Sequence, residues 1–299
     1  MGTLKRKNTV TTAARTRAVT RTASRRKTTS THPRAIAFAV ATAFLPWYLP
    51  QTASAQTPAP NQMPNVVLVQ GQAYIRDVTG TYQRIDQASL RAIYEGSMTM
   101  GVNAHLELWH AHGGSGIGLF KDVSGSLSQI FGRITSNGQV FISNQNGILF
   151  GASARVDVGS LFATSLSIKD HDFMAGRYNF YNEGNAKEVR NEAGKNNGKD
   201  EGHIITANGY TALVGPQVRN DGLIIAKAGN VTLAAGDRVT LDMIGDGLIS
   251  LSIDQAAFNA SVINKGSIEA DGGTVLLAAR SANALFDTVI NNTGVIRAN

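Results

Sequence analysis

The sequence predicts an all-β chain wound as a parallel β-solenoid. Three observations carry this: a gapless internal repeat, a strand–turn rhythm without helical periodicity, and the withdrawal of proline from the body of the chain. GLIIAKAGNVTLAAG (222–236) aligns with GSIEADGGTVLLAAR (266–280) at an offset of 44, with Gly, Ile, Ala, Gly, Val, Leu, Ala and Ala recurring. A fainter copy, GHIITANGYTALVG, starts 20 residues before Gly222, and a truncated one, GVIRAN, closes the chain. A unit of strand, Gly turn and strand cannot bury its apolar side alone, whereas stacked copies can. The offsets fit coils of roughly 20–22 residues. A β-sandwich is the competing fold, and it leaves the repeat to accident.

The chain opens on a basic stretch. Residues 1–34 hold ten Lys and Arg and no acid, which leaves 18 basic against 21 acidic residues in the remainder, a net of −3. The formal charge of +7 is therefore local, and no basic stripe in the body invites nucleic acid. An apolar core follows (AIAFAVATAFLPWYL, 35–49), then Ala53-Ser54-Ala55. Basic region, short apolar core and A-x-A ending are the parts of a secretory signal, with cleavage expected after Ala55. A membrane anchor needs about 20 apolar residues, and this run is shorter and contains Pro46. The leader spans residues 1–55 and is unusually long. The chain has no cysteine, so it must hold itself by packing and backbone pairing.

Six of the seven prolines fall at or before Pro64, and residues 56–64 (QTPAPNQMP) read as a linker. From Asn65 onward short alternating or β-branched runs (VVLV, HLELW, QVFIS, ARVDV, LISLSI) alternate with turns. The polar segment 181–203 breaks the rhythm and reads as a solvated excursion. Stacking should set Ile224 over Ile268, Val231 over Val275 and Leu233 over Leu277. Asn220, Asn264 and Asn292 precede the copies and should form a ladder of amides at equivalent turns.

Catalytic constellations are scarce. Trp109-His110-Ala111-His112 places two imidazoles at i and i+2, on one face of a strand end expected to be exposed, without a third ligand. No metal or cofactor is expected. Gly113, Gly114, Gly116 and Gly118 lack the spacing and the helix of a phosphate loop. Asp170-His171-Asp172 reads as a turn. Asn230, Asn259 and Asn291 lie in N-x-[ST] triplets, a minor signal for sugar attachment.

Three segments together carry a family resemblance: GQAYIRDVTGTYQRIDQASLRAI (71–93), VSGSLSQIFGRITSNGQVFISNQNGILFGASARVDVGSLFATSLSI (123–168) and the GxIxAxxGxVxLAA repeats. From residue 65 to 299 the chain resembles the secretion domain of two-partner-secretion exoproteins, the filamentous-haemagglutinin family. The resemblance implies a right-handed parallel β-helix with extra-helical loops and short β elements. It implies a partner, the periplasmic part of a dedicated outer-membrane transporter. It places the protein, via the periplasm, outside a Gram-negative cell, secreted or on the surface. The family motif N-P-N-G-I/L is matched by Asn144, Asn146, Gly147 and Ile148, with Gln145 in place of proline. Losing a compatible turn proline costs about 0.4–1 kcal/mol, whereas losing a buried capping Asn costs about 1–3 kcal/mol. The asparagines and Gly147 should therefore hold the turn.

The expected function is non-enzymatic: an N-terminal export-recognition module of a large adhesin that meets a host-cell or carbohydrate receptor. Alternatives are the front end of an exported toxin or haemolysin, and a carbohydrate-active β-helix enzyme. The last requires acids stacked on one strand face, where the repeats carry Ile, Ala, Val and Leu. The repeat at Gly294 stops before its second strand, so the domain reads as C-terminally incomplete, a fragment or the product of an interrupted gene.

Overall fold

In the computed structural model, residues 56–298 are described apart from 197–198, 201, 208, 244–248 and 283–288. The expected leader, including the cleavage position after Ala55, lies outside them. From Ile117 onward each coil carries three strands, one more than the repeat suggested. The strands stack into sheets of eight, nine and six, and all solenoid pairings from Tyr82 onward are parallel. The coil through the NQNG segment runs Gln139–Ser143 (eight-stranded sheet), Ile148–Phe150 (six-stranded), Arg155–Val158 (nine-stranded) and Ser160–Thr164 (eight-stranded again).

The expected stack is observed: Ile224 pairs with Ile268, Val231 with Val275 and Leu233 with Leu277. The copy 20 residues earlier sets Ile204 beside Ile224 and Leu213 beside Leu233. The offset of 44 is thus one coil step, lengthened by an insertion. The additional residues form the hairpin Arg238–Met243 and Ile249–Gln255, which pairs with Tyr178–Tyr181 as a separate three-stranded sheet. That sheet covers the eight-stranded one from outside. Phe162 and Phe180 stand 4.6 Å apart between the two, and Phe141, Phe173 and Tyr178 fill the same layer. Strands such as Ser160–Thr164 are consequently buried on both faces, which is why LFAT runs apolar rather than alternating. A second cluster fills the inside of the solenoid from Val66 to Ala270. Its buried members run from Val66 onward, with Met63 packed against them.

The N-terminal end is closed by antiparallel strands. Asn65–Gln70 pairs with Arg91–Ser97, and Ala73–Thr79 with Tyr82–Gln87. This reversal ends the parallel stack. Within the segment read as a linker, Pro60 O accepts from Asn103 N and Gln62 O from Gly101 N, both at 2.8 Å, and Pro64 is buried.

Three local expectations change. Segment 181–203 is not one excursion: Glu188–Asn191 is a strand of the six-stranded sheet, with Val189 and Asn191 buried. A run so polar masks a strand in which only alternate residues face inward. Asp170–Met174 forms a short helix rather than a turn. His110 is 1% exposed and not at an open strand end, while His112 is exposed. The chain turns after His110 into a 3-10 segment, so the i, i+2 geometry of a strand does not extend to His112.

Candidate functional site

Asn144–Gly147 forms the corner between the eight- and six-stranded sheets. Gly147 N donates to Asn144 O at 2.9 Å, closing a β-turn, and Asn146 N donates to Asn144 Oδ1 at 2.8 Å. The second bond is an Asx turn, in which a short amide side chain imitates a backbone carbonyl. Asn144 Nδ2 reaches the preceding coil and donates to Ser126 O and Ser128 Oγ, both at 2.8 Å. Its backbone N donates to Thr164 O at 3.0 Å on the following coil. Asn144, 1% exposed, therefore ties together three coils. Gly147 has φ +96, and a Cβ there would meet Glu188 O at 2.8 Å. Only glycine satisfies both conditions. Ile148 is buried between Ser128 and Val189 in parallel register.

The other two corner residues face outward. Gln145 Nε2 donates to Ser167 Oγ at 2.5 Å and Glu183 Oε2 at 2.7 Å. The Asn146 side chain is half-buried and has no hydrogen bond among the described residues. The two asparagines thus separate: Asn144 holds the corner, and Asn146 presents an amide. The half-buried position of Gln145 would also suit a proline, because its N–H donates to no partner among the described residues.

Beside the corner lies an open groove of about 740 Å³. One wall is the corner itself; the other holds Lys121, Asp122, Lys169, Asp170, Tyr181 and Glu183. Lys121 Nζ pairs with Asp170 at 2.7 Å and Glu95 at 3.3 Å. Burial alone would lower its pKa, but the hydrogen bond and charge of Asp170, with Glu95, hold it above the ordinary lysine value. Asp122 bonds Met98 N at 2.9 Å and Ser128 Oγ at 2.5 Å, which braces the serine that holds Asn144. Sequence reasoning missed Lys121, Asp122 and Gln145's partner Glu183, since they lie 22 to 38 residues from the corner. The Asp170-His171-Asp172 cluster was the only visible signal.

The amide ladder forms a second array. Asn191 Nδ2 donates to Asn220 Oδ1 at 2.8 Å, Asn220 to Asn264 at 2.8 Å, and Asn264 to Asn292 at 2.7 Å. It stands at the opposite end of the six-stranded sheet from the corner and does not meet it. Asn191 escaped the sequence reading because the antiparallel pair Lys195–Asn196 and Lys199–Asp200 lies between it and its Gly202 copy. No group of three or more His, Asp or Glu suited to a metal occurs among the described residues.

A three-sided β-solenoid, closed at its N-terminal end by antiparallel strands and carrying a rigid Asx corner beside a polar groove, is the class these features define. The TPS secretion domain family model matches residues 120–299, and the chain belongs to that family. It is 29% identical over 223 residues to the heme/hemopexin-binding protein of Haemophilus influenzae strain Rd, covering 72% of this chain and 23% of that one. A second Haemophilus influenzae protein of the same description is 29% identical over 189 residues, covering 59% and 20%. The crystal structure of the HMW1 secretion domain from Haemophilus influenzae matches with a TM-score of 0.62 and 24% identity, over 72% of this chain and 56% of that one. The structural likeness carries the fold. The chain spans less than a quarter of the length of the curated relatives. Family membership makes it the secretion domain of an exoprotein, exported across the outer membrane of a Gram-negative bacterium with a cognate outer-membrane transporter. The family is one of secretion domains.

Proposed function

We propose that this domain is the export-recognition module of a large adhesin, and that the periplasmic part of the transporter reads the corner at Asn144–Ile148 together with the groove beside it. One observation carries the reading. Asn144 fixes the corner from within, while Asn146 holds an amide outward at the groove with no partner in the described fold. A rigid corner with a presented hydrogen-bonding side chain suits recognition, because little ordering entropy is lost on binding. In this reading residues 1–55 deliver the chain to the periplasm and are removed after Ala55. The mature product remains at the cell surface and meets a host-cell or carbohydrate receptor. The name of the curated relatives supports a second cargo, an exoprotein that binds heme or hemopexin through regions beyond this domain.

The test is export with the transporter co-expressed, measured as protein in the medium. Asn146→Ala should lower export while leaving the melting temperature of residues 56–299 unchanged. Asn144→Ala should lower both, and Gln145→Ala should affect export least. Equal export of all three variants would overturn the assignment.

A further inference from the structure

Two asparagines among the described residues stand directly before a glycine, Asn137 and Asn146. That dipeptide carries a reaction of its own. The glycine nitrogen attacks the side-chain amide carbon Cγ of the asparagine. The Cγ–Nδ2 bond breaks, ammonia leaves with the proton the backbone nitrogen gave up, and a five-membered imide closes. Water then opens the imide at either carbonyl, giving aspartate or isoaspartate. Water is consumed and ammonia released, with no redox change. Glycine favours the attack because no Cβ crowds its nitrogen.

The fold treats the two sites differently. Both asparagines are half-buried, so exposure does not separate them. Each glycine nitrogen donates one hydrogen bond, Gly138 N to Ser136 Oγ at 3.1 Å and Gly147 N to Asn144 O at 2.9 Å. The amides make the difference. Asn137 Oδ1 accepts from His110 N at 2.7 Å, and Asn137 Nδ2 donates to His110 O at 2.9 Å. This clamp fixes the amide plane, and both bonds must break before Cγ can turn toward Gly138 N. The Asn146 amide makes no hydrogen bond among the described residues and lines the open groove, where water reaches it. Two bonds of ordinary net strength therefore slow Asn137 relative to Asn146 by about 5- to 150-fold.

We propose that Asn146 is a site of spontaneous deamidation, and that the reaction converts the amide presented at the groove into a carboxylate that ends recognition there. The second half rests on the function proposed above. An amide both donates and accepts, whereas a carboxylate only accepts. Asp170 and Glu183 already line this groove, so the new charge joins two acids. The isoaspartate product goes further. It adds a carbon to the backbone at the point where Gly147 N must reach Asn144 O to close the turn. A freshly folded corner and an aged one thus differ, and no enzyme is required.

The test incubates residues 56–299, which hold the buried members of both core clusters, in mildly alkaline buffer. Peptide mapping by mass spectrometry follows the amide-to-acid mass gain at each asparagine. In the folded protein Asn146 should convert about 5- to 150-fold faster than Asn137. In denaturant the two should convert at similar rates, because the clamp is gone. Equal rates in the folded protein, or the same bias in denaturant, would overturn the site. Asn146→Asp tests the consequence, through export with the transporter co-expressed. Its export should fall to the level of Asn146→Ala. Export of Asn146→Asp equal to the parent's overturns the loss of recognition. If Asn146→Ala is lowered in that assay the reading of the corner stands, and if it is not, that reading falls too.

Discussion

Asn220→Ala is the sharpest test of what holds the coils in register. Asn220 is 0% exposed and sits within the ladder, accepting from Asn191 and donating to Asn264. Its removal leaves two buried amide groups without these partners, Asn191 Nδ2 and Asn264 Oδ1. Each orphaned buried group costs about 1–3 kcal/mol, for a total of about 2–6 kcal/mol. Asn292 is the control. It is exposed and makes one ladder bond, so Asn292→Ala orphans only Asn264 Nδ2, at the wet end of the ladder where water can replace the partner. It should cost about 0.5–1.5 kcal/mol, the net worth of a single hydrogen bond. Urea unfolding of residues 56–299, followed by circular dichroism, reads both differences as midpoint shifts at constant slope. If the two variants were equally stable within about 0.5 kcal/mol, the ladder would contribute no more in the buried stack than at its wet end. The argument from desolvation would then be refuted.

Gly147→Ala should destabilise by about 1–3 kcal/mol, because it forces a left-handed backbone and a contact with Glu188 O; a thermal melt unchanged from the parent contradicts this. Gln145→Pro should leave stability equal or raise it by up to about 1 kcal/mol, since no N–H bond is lost; a clear drop in melting temperature would show that the Ser167 and Glu183 bonds matter more. Val231→Asp should unfold the domain, as it puts a charge between Thr211 and Val275 inside the stack; a retained β-type spectrum refutes it. His110 is lowered to about 4 by burial. A depressed histidine means the unfolded chain binds the extra proton, so this stability is full above about pH 6.5 and is lost as pH falls toward 4, by about 3 kcal/mol in all. His110→Leu should flatten the stability profile between pH 7 and 5, and a profile identical to the parent's rules the histidine out.

Repeats made much of the fold legible. The copies at Gly222 and Gly266 carry the same aliphatic positions, and the structure pairs those positions directly. Such a pattern is readable because a solenoid converts sequence period into spatial neighbourhood. Asn220, Asn264 and Asn292 could be picked out for the same reason, and Asn191 could not, since an inserted antiparallel pair shifts it out of period. The NQNG corner was visible as a motif, yet its two asparagines looked equivalent. Only the tertiary structure separates them, because Asn144 finds its partners on the neighbouring coils, at Ser126, Ser128 and Thr164. Likewise the 44-residue offset did not reveal a single coil with an outer sheet, for the hairpin's partner Tyr178–Tyr181 lies far upstream. Net charge over the body is −3 by composition, and Arg133 and Arg155 still meet as an unanswered pair. Sequence alone determined what repeats along the chain. What is brought together across coils depends on register and on the lengths of the insertions, which local pattern does not encode and the packed stack decides.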